Sequence, residues 1–119
     1  ARQEEVKRMT FDDGILKVYR TVNKAEPGNK PVIGLEYKDS YYFGYAELGF
    51  TRVYKAMEAK QQVDAVVNVP GWNDIRALDI CAMEDGGQYQ IGLVQPTHDE
   101  DGLRIMKLTL QRLEEHYEL

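Results

Sequence analysis

The side chains best suited to catalysis or metal binding are few in this sequence, and their spacing limits what they can do. The two histidines are His98 and His116. His98 opens "HDEDG" (98–102), where Asp99, Glu100 and Asp101 offer hard oxygen ligands. A calcium loop, however, spreads its ligands over about twelve residues and closes on a bidentate Glu, and that spacing is missing. A solvated acidic loop is the expectation. His116 stands in "RLEEHYEL" near the end of the chain, where an exposed structural role is expected. The lone cysteine, Cys81, lies in the apolar "LDICAM", where a thiol packs as a small hydrophobe. Glu114 and Glu115 are adjacent, which places them on opposite sides of a strand or about 100° apart on a helix, an arrangement unsuited to an acid–base pair. The "GGQ" at 86–88 is too short for a phosphate loop, and no dinucleotide fingerprint occurs. These residues lead to the expectation of a non-enzyme with no cofactor and no metal.

What the sequence does concentrate is aromatic rings. Tyr37, Tyr41, Tyr42, Phe43, Tyr45, Phe50 and Tyr54 are seven of its twelve aromatic residues. Such a run suits a packed core, a stacking platform for nucleic-acid bases, or a surface that binds protein. Ser40, Gly44 and Gly49 flank the densest part, so a loop or bent ribbon is expected over Tyr41–Tyr45 rather than an unbroken central strand. Phe50, Tyr54 and Ala56 read as a strand entering the core. The candidate interface residues are Tyr41, Tyr42, Phe43, Tyr45, Arg52, expected to anchor the base of the ribbon, and Trp72, because large amphipathic rings with Arg nearby dominate contact energy at protein interfaces.

The elements that must position these residues follow from periodicity. "GILKVYRTV" (14–22) alternates Leu16, Val18 and Val22 against Ile15, Lys17, Tyr19 and Thr21, the period-2 pattern of a strand. Pro27-Gly28 and Pro31 then force a turn, and "VIGLEYK" (32–38) supplies a second strand and a hairpin. "FTRVYKA" reads as a strand and "MEAKQQ" as a short helical turn. "VDAVVNV" (63–69) is rich in β-branched residues and is expected to stop at Pro70. Asp85-Gly86-Gly87 separates "LDICAM" from "QYQIGLV" and predicts a tight hairpin, with Pro96 ending its second strand. The last segment, 103–117, fits two templates. Leu103, Met106, Leu110, Leu113 and Tyr117 make a helical stripe, while Met106, Leu108 and Leu110 keep strand spacing.

A chain of 119 residues suits one domain with one core. Its composition, 43% hydrophobic and 29% charged, is that of a soluble protein, and its apolar runs are too short to cross a membrane. Residues 1–10 form a charged N-terminal arm with no apolar signal-peptide core, and 11–119 form the domain. A single cysteine favours a reducing compartment. The net charge of −5 is uneven: residues 1–60 carry eleven Lys/Arg against nine Asp/Glu, and residues 61–119 carry four against eleven. An acidic second half weighs against tight phosphate binding. If Asp79, Glu84 and Asp99–Asp101 lined a channel, they would repel nucleic acid and let it slide.

Taken in order, "FDDGILKVYR", "YYFGYAELGFTRVYKA", the strand 64–69, "DICAMEDGGQYQIGLVQ" and "DEDGLRIMKLTLQRLE" resemble the head-tail joining, or head closure, proteins of tailed bacteriophages and of defective phage-like elements of Gram-positive bacteria. The most telling pieces are Gly49-Phe50-Thr51-Arg52-Val53-Tyr54, the Glu84–Tyr89 hairpin and Leu108-Thr109-Leu110. The resemblance covers nearly the whole chain from Phe11 onward; the charged segment before Phe11 departs from it. It implies an all-β fold, a small barrel or sandwich of about seven mostly antiparallel strands with at most one short helix, and it tips 103–117 to strand. It also implies a virion structural protein of the particle neck, assembled in the host cytoplasm as a homo-oligomeric ring, commonly a dodecamer. The implied neighbours are a portal or adaptor ring and the tail terminator or tail tube, with packaged DNA passing close by and no membrane. A small barrel of the oligonucleotide-binding type, stacking bases on Tyr41, Tyr42 or Phe43, is the alternative.

Overall fold

The computed structural model describes residues 11–46 and 63–118, whose backbone forms six strands and no helix. β1 (Gly14–Asn23) and β2 (Ile33–Tyr45) make a long hairpin, β3 (Ala65–Pro70) follows, β4 (Ile80–Met83) and β5 (Gln88–His98) make a second hairpin, and β6 (Arg104–Arg112) returns beside β5. Every pairing is antiparallel. The ladder runs β1-β2-β3-β6-β5-β4 and closes on itself where Leu16–Tyr19 of β1 meets Ile80–Met83 of β4.

The expected all-β architecture is therefore present, with six strands among the described residues where about seven were expected. The strand expected at 50–56, the helical turn after it, Arg52 and the arm 1–10 lie outside the described residues. No helix among the described residues is long and apolar enough to cross a membrane.

Alternation fills the barrel. Leu16 and Val18 of β1, Phe43 of β2, Val67 and Val69 of β3, Cys81 and Met83 of β4, Ile91 of β5 and Met106, Leu108 and Leu110 of β6 meet inside, with Ile75 added from the β3–β4 loop. Each such side chain contributes roughly 1.5–3 kcal/mol by leaving water. The turn between β4 and β5 uses the glycine the sequence placed there: Gly86 has φ 89°, and Met83 N donates to Gly87 O at 2.9 Å.

Two expectations change, and the strand expected within 103–117 is present. The aromatic stretch is not a projecting loop, because β2 runs unbroken for 13 residues through Tyr45. Its bend is supplied by a bulge: Val18 faces Asp39 while Tyr19 faces Tyr37, so Lys38 has no opposite residue. Pro96 does not end β5, which continues to His98 and pairs Pro96 with Met106. β4 covers only Gln88–Gln90 of β5, so at Pro96 the strand has a single neighbour, the setting in which proline is tolerated. The ambiguous 103–117 segment is a strand over Arg104–Arg112, since β3 and β5 flank it and ladder pairing on both sides outweighs its helical stripe. The chain beyond it is pinned by Gln88, whose side chain donates to Tyr117 O at 2.8 Å and accepts from Tyr117 N at 2.7 Å.

Candidate functional site

Because neighbouring strands all alternate in direction, the β1–β2 turn (24–32), the β3–β4 loop (71–79) and the β5–β6 turn (99–103) lie at one end of the barrel. A cleft of about 560 Å³ opens there, lined by Arg20, Glu36, Tyr37, Lys38, Asp39, Tyr41, Asp74, Arg76 and Asp79. The β2 bulge positions its central residue. Lys38 turns inward with its side chain 13% exposed, and its Nζ lies 2.7 Å from Oδ2 of Asp79, itself 10% exposed, and 3.7 Å from Oδ1 of Asp74. The same Asp79 oxygen accepts from the backbone N of Arg76 at 2.9 Å. At the mouth, Arg76 Nε donates to Asp74 Oδ1 at 3.2 Å and Arg20 pairs with Glu36.

The loop that delivers Asp79 holds one strained residue. Leu78 is largely exposed and has φ 74°, the left-handed region that costs a non-glycine residue about 1–2 kcal/mol. Two backbone bonds to β5 hold it: Leu78 N donates to Ile91 O at 2.7 Å and Ile91 N donates to Asp79 O at 2.8 Å. The cleft's three cations are thus each matched by a carboxylate, and its geometry ties the loop to β2. Tyr41 lines it, and burial, reinforced by Asp39, Asp74 and Tyr37, raises the pKa of its phenol above the usual value. Nothing in the sequence announces this cluster, since Lys38 and Asp79 are 41 residues apart and meet only through the bulge.

The candidate interface residues divide. Phe43 does not belong to an exposed surface: it is 2% exposed inside the barrel, because it alternates in phase with Tyr41, opposite Leu16. Tyr42 points the other way, beside its partner Ile15, and is 64% exposed. Tyr45 is more than half exposed, with its ring edge-on to Phe43 at 5.3 Å and its hydroxyl directed at Met83 Sδ, 3.6 Å away. Burial, with Tyr89, Asp85 and Asp13 nearby, raises its pKa. Tyr37 is likewise exposed and leans on Tyr19 at 5.7 Å. Tyr42 and Tyr45 therefore stand on a rigid strand and not on a loop. Arg52 lies outside the described residues.

Trp72 belongs to a different place, the base of the β5–β6 turn. Its Nε1 donates to Thr97 O at 3.0 Å, the guanidinium of Arg104 lies 4.5 Å over its ring, and His98 meets it edge-on at 5.2 Å. It remains half exposed, and Leu103 of the β5–β6 turn is 64% exposed. The acidic set also needs correction, because Asp79 is buried against Lys38 and adds no charge to an outer face. Glu84 accepts from Ile15 N at 3.0 Å, and Asp99 accepts from Asp101 N and Leu103 N, which shapes the turn. Cys81 is fully buried, and burial pushes its thiol up to about 12. Among the described residues no group of three or more His, Cys, Asp and Glu side chains is placed to hold a metal ion.

Fold and surface together define a small closed antiparallel β-barrel that presents aromatic rings from rigid strands. It is similar to the solution structure of protein SF1141 from Shigella flexneri 2a, with a TM-score of 0.61 and 12% sequence identity over 94% of this chain and all of that one. At that identity the likeness shows the fold alone. No protein-family model matches the chain, and no curated protein matches it.

Proposed function

We propose that this chain is a structural, non-enzymatic connector in the neck of a tailed phage or phage-like particle. It works as a ring, a dodecamer by the resemblance, between the portal or adaptor ring and the tail terminator or tail tube. It joins head to tail and helps retain packaged DNA. The observation that carries this reading is the set of large side chains left in water on a rigid barrel, Tyr37, Tyr42 and Tyr45 from β2 and Trp72 and Leu103 at the far hairpin. A monomer gains nothing from ordering rings in solvent, whereas an assembled ring buries them at contacts above, below and beside each copy.

Deleting the gene from the genome that carries it should leave finished heads and finished tails that do not join, counted by negative-stain electron microscopy of lysates. Joined particles at the normal yield would overturn the proposal. The base-stacking alternative is tested by titrating labelled single-stranded DNA at low salt. Micromolar binding that weakens steeply with salt would replace the connector reading with a nucleic-acid module.

A further inference from the structure

We infer that the β1–β2 turn of one copy docks into a groove beside the β5–β6 turn of a second copy, so that copies of this chain join head to tail. The groove, about 490 Å³, is lined by Phe11, Pro70, Gly71, Leu103 and Ile105, with Asp99 and Arg104 also on its wall. Its occupant must be apolar with a cationic rim, because the turn beside it carries Asp99, Glu100 and Asp101 while Arg104 is engaged over Trp72.

The other hairpin supplies that chemistry. β4 pairs with β1 only through Tyr19, and β3 reaches β2 only at Gly44 and Tyr45. Arg20–Asn23 and Ile33–Tyr37 therefore form a two-stranded ribbon outside the barrel wall, a type of structure that is marginal in water by itself. Yet this ribbon ends in Val32 and Ile33, 57% and 52% exposed, flanked by Lys24 and Lys30 against the single acid Glu26. The tip is pre-ordered: Asn23 Oδ1 accepts from Ala25 N and from Val32 N, both at 3.0 Å, and Lys24 N donates to Val32 O at 2.7 Å. The Lys24 side chain lies across Gly34, in the space the glycine leaves open. A surface that is rigid before contact loses little entropy on binding.

Placement makes the contact repeatable. In the strand order β3 separates β1–β2 from β5–β6 on one side and β4 separates them on the other, so the tip and the β5–β6 turn belong to different hairpins of the ring. A protomer with a donor on one hairpin and an acceptor on the other makes a heterologous contact, which closes into a ring when its rotation divides a full turn. This deepens the connector reading by naming the contact between neighbours. It is tested on purified protein, so its failure would leave the joining experiment untouched, and the converse holds too.

The test is oxidation of an Ile33→Cys, Leu103→Cys double variant at high protein concentration, followed by non-reducing electrophoresis; Cys81 is buried and does not compete. A reducible ladder of trimers and larger species is expected, while either single variant stops at dimers. Adding Lys30→Glu should slow the ladder several-fold, and Asp101→Lys in the same chain should restore it. All four positions are on exposed turns or edges, and a thermal melt confirms that each variant is folded. No species beyond those of the single variants, or a ladder indifferent to Lys30→Glu, overturns the inference.

Discussion

Removing the carboxylate of Asp79 is the sharpest single test of how the loop at the cleft is held. In Asp79→Ala the Lys38 ammonium, 13% exposed, loses its 2.7 Å partner and keeps only Asp74 at 3.7 Å, while the Arg76 amide loses a 2.9 Å acceptor. Breaking a buried ion pair from one side costs about 3–5 kcal/mol, because the remaining charge stays desolvated. The residual attraction of Asp74 places this case near the lower end, about 3 kcal/mol. For a domain of this length that corresponds to a fall in Tm of roughly 10 °C. Removing both charges, as in Lys38→Met with Asp79→Leu, should cost less than the sum of the single changes by about 1–3 kcal/mol, since no orphaned charge remains. Urea unfolding of the four proteins in the cycle reads this directly. The exposed Arg20–Glu36 pair serves as the control, contributing under about 1 kcal/mol and fading with salt. An Asp79→Ala cost below about 1 kcal/mol, or strict additivity in the cycle, would refute the view that this pair fastens the loop to β2.

Two further outcomes follow from neighbouring residues with different environments. Phe43→Ala should destabilise the barrel by about 3–5 kcal/mol and Tyr42→Ala by no more than about 0.5 kcal/mol in urea unfolding, with the Tyr42 change instead impairing head-to-tail joining; equal costs would place both rings in one environment. For Cys81, folding moves the thiol from 9.0 to about 12, so the unfolded chain ionises first as pH rises. Stability from this group is whole below pH 9 and falls by about 1.4 kcal/mol per pH unit between the two values. The stability gap between the wild type and Cys81→Ala should therefore narrow from pH 8 to pH 11, and a constant gap would show that the thiol does not titrate in this way.

Local rules reach some of these features and not others. Leu16 and Val18 face inward because a strand alternates, Cys81 is buried because its segment is apolar, and the Asp85-Gly86 turn forms because glycine accepts the φ the turn requires. Trp72 was named as an interface aromatic, but its stacking with Arg104 and His98 was not legible, because those residues come from the other hairpin. Val32 and Ile33 looked like ordinary strand residues, and only the short reach of β3 and β4 leaves them in water.

The sequence by itself determined the two hairpins, the core face of β1 and the want of a linear catalytic motif, because each depends on residues within a few positions of one another. Tertiary structure alone decided which aromatic of the Tyr41–Tyr45 run is core and which is surface, whether 104–112 is helix or strand, and that Asp79 is neutralised rather than part of an acidic face. Those outcomes depend on register. One extra residue at Lys38 resets the phase of a strand, and closure of the barrel chooses the partners on both sides of β6, and no local pattern carries either piece of information.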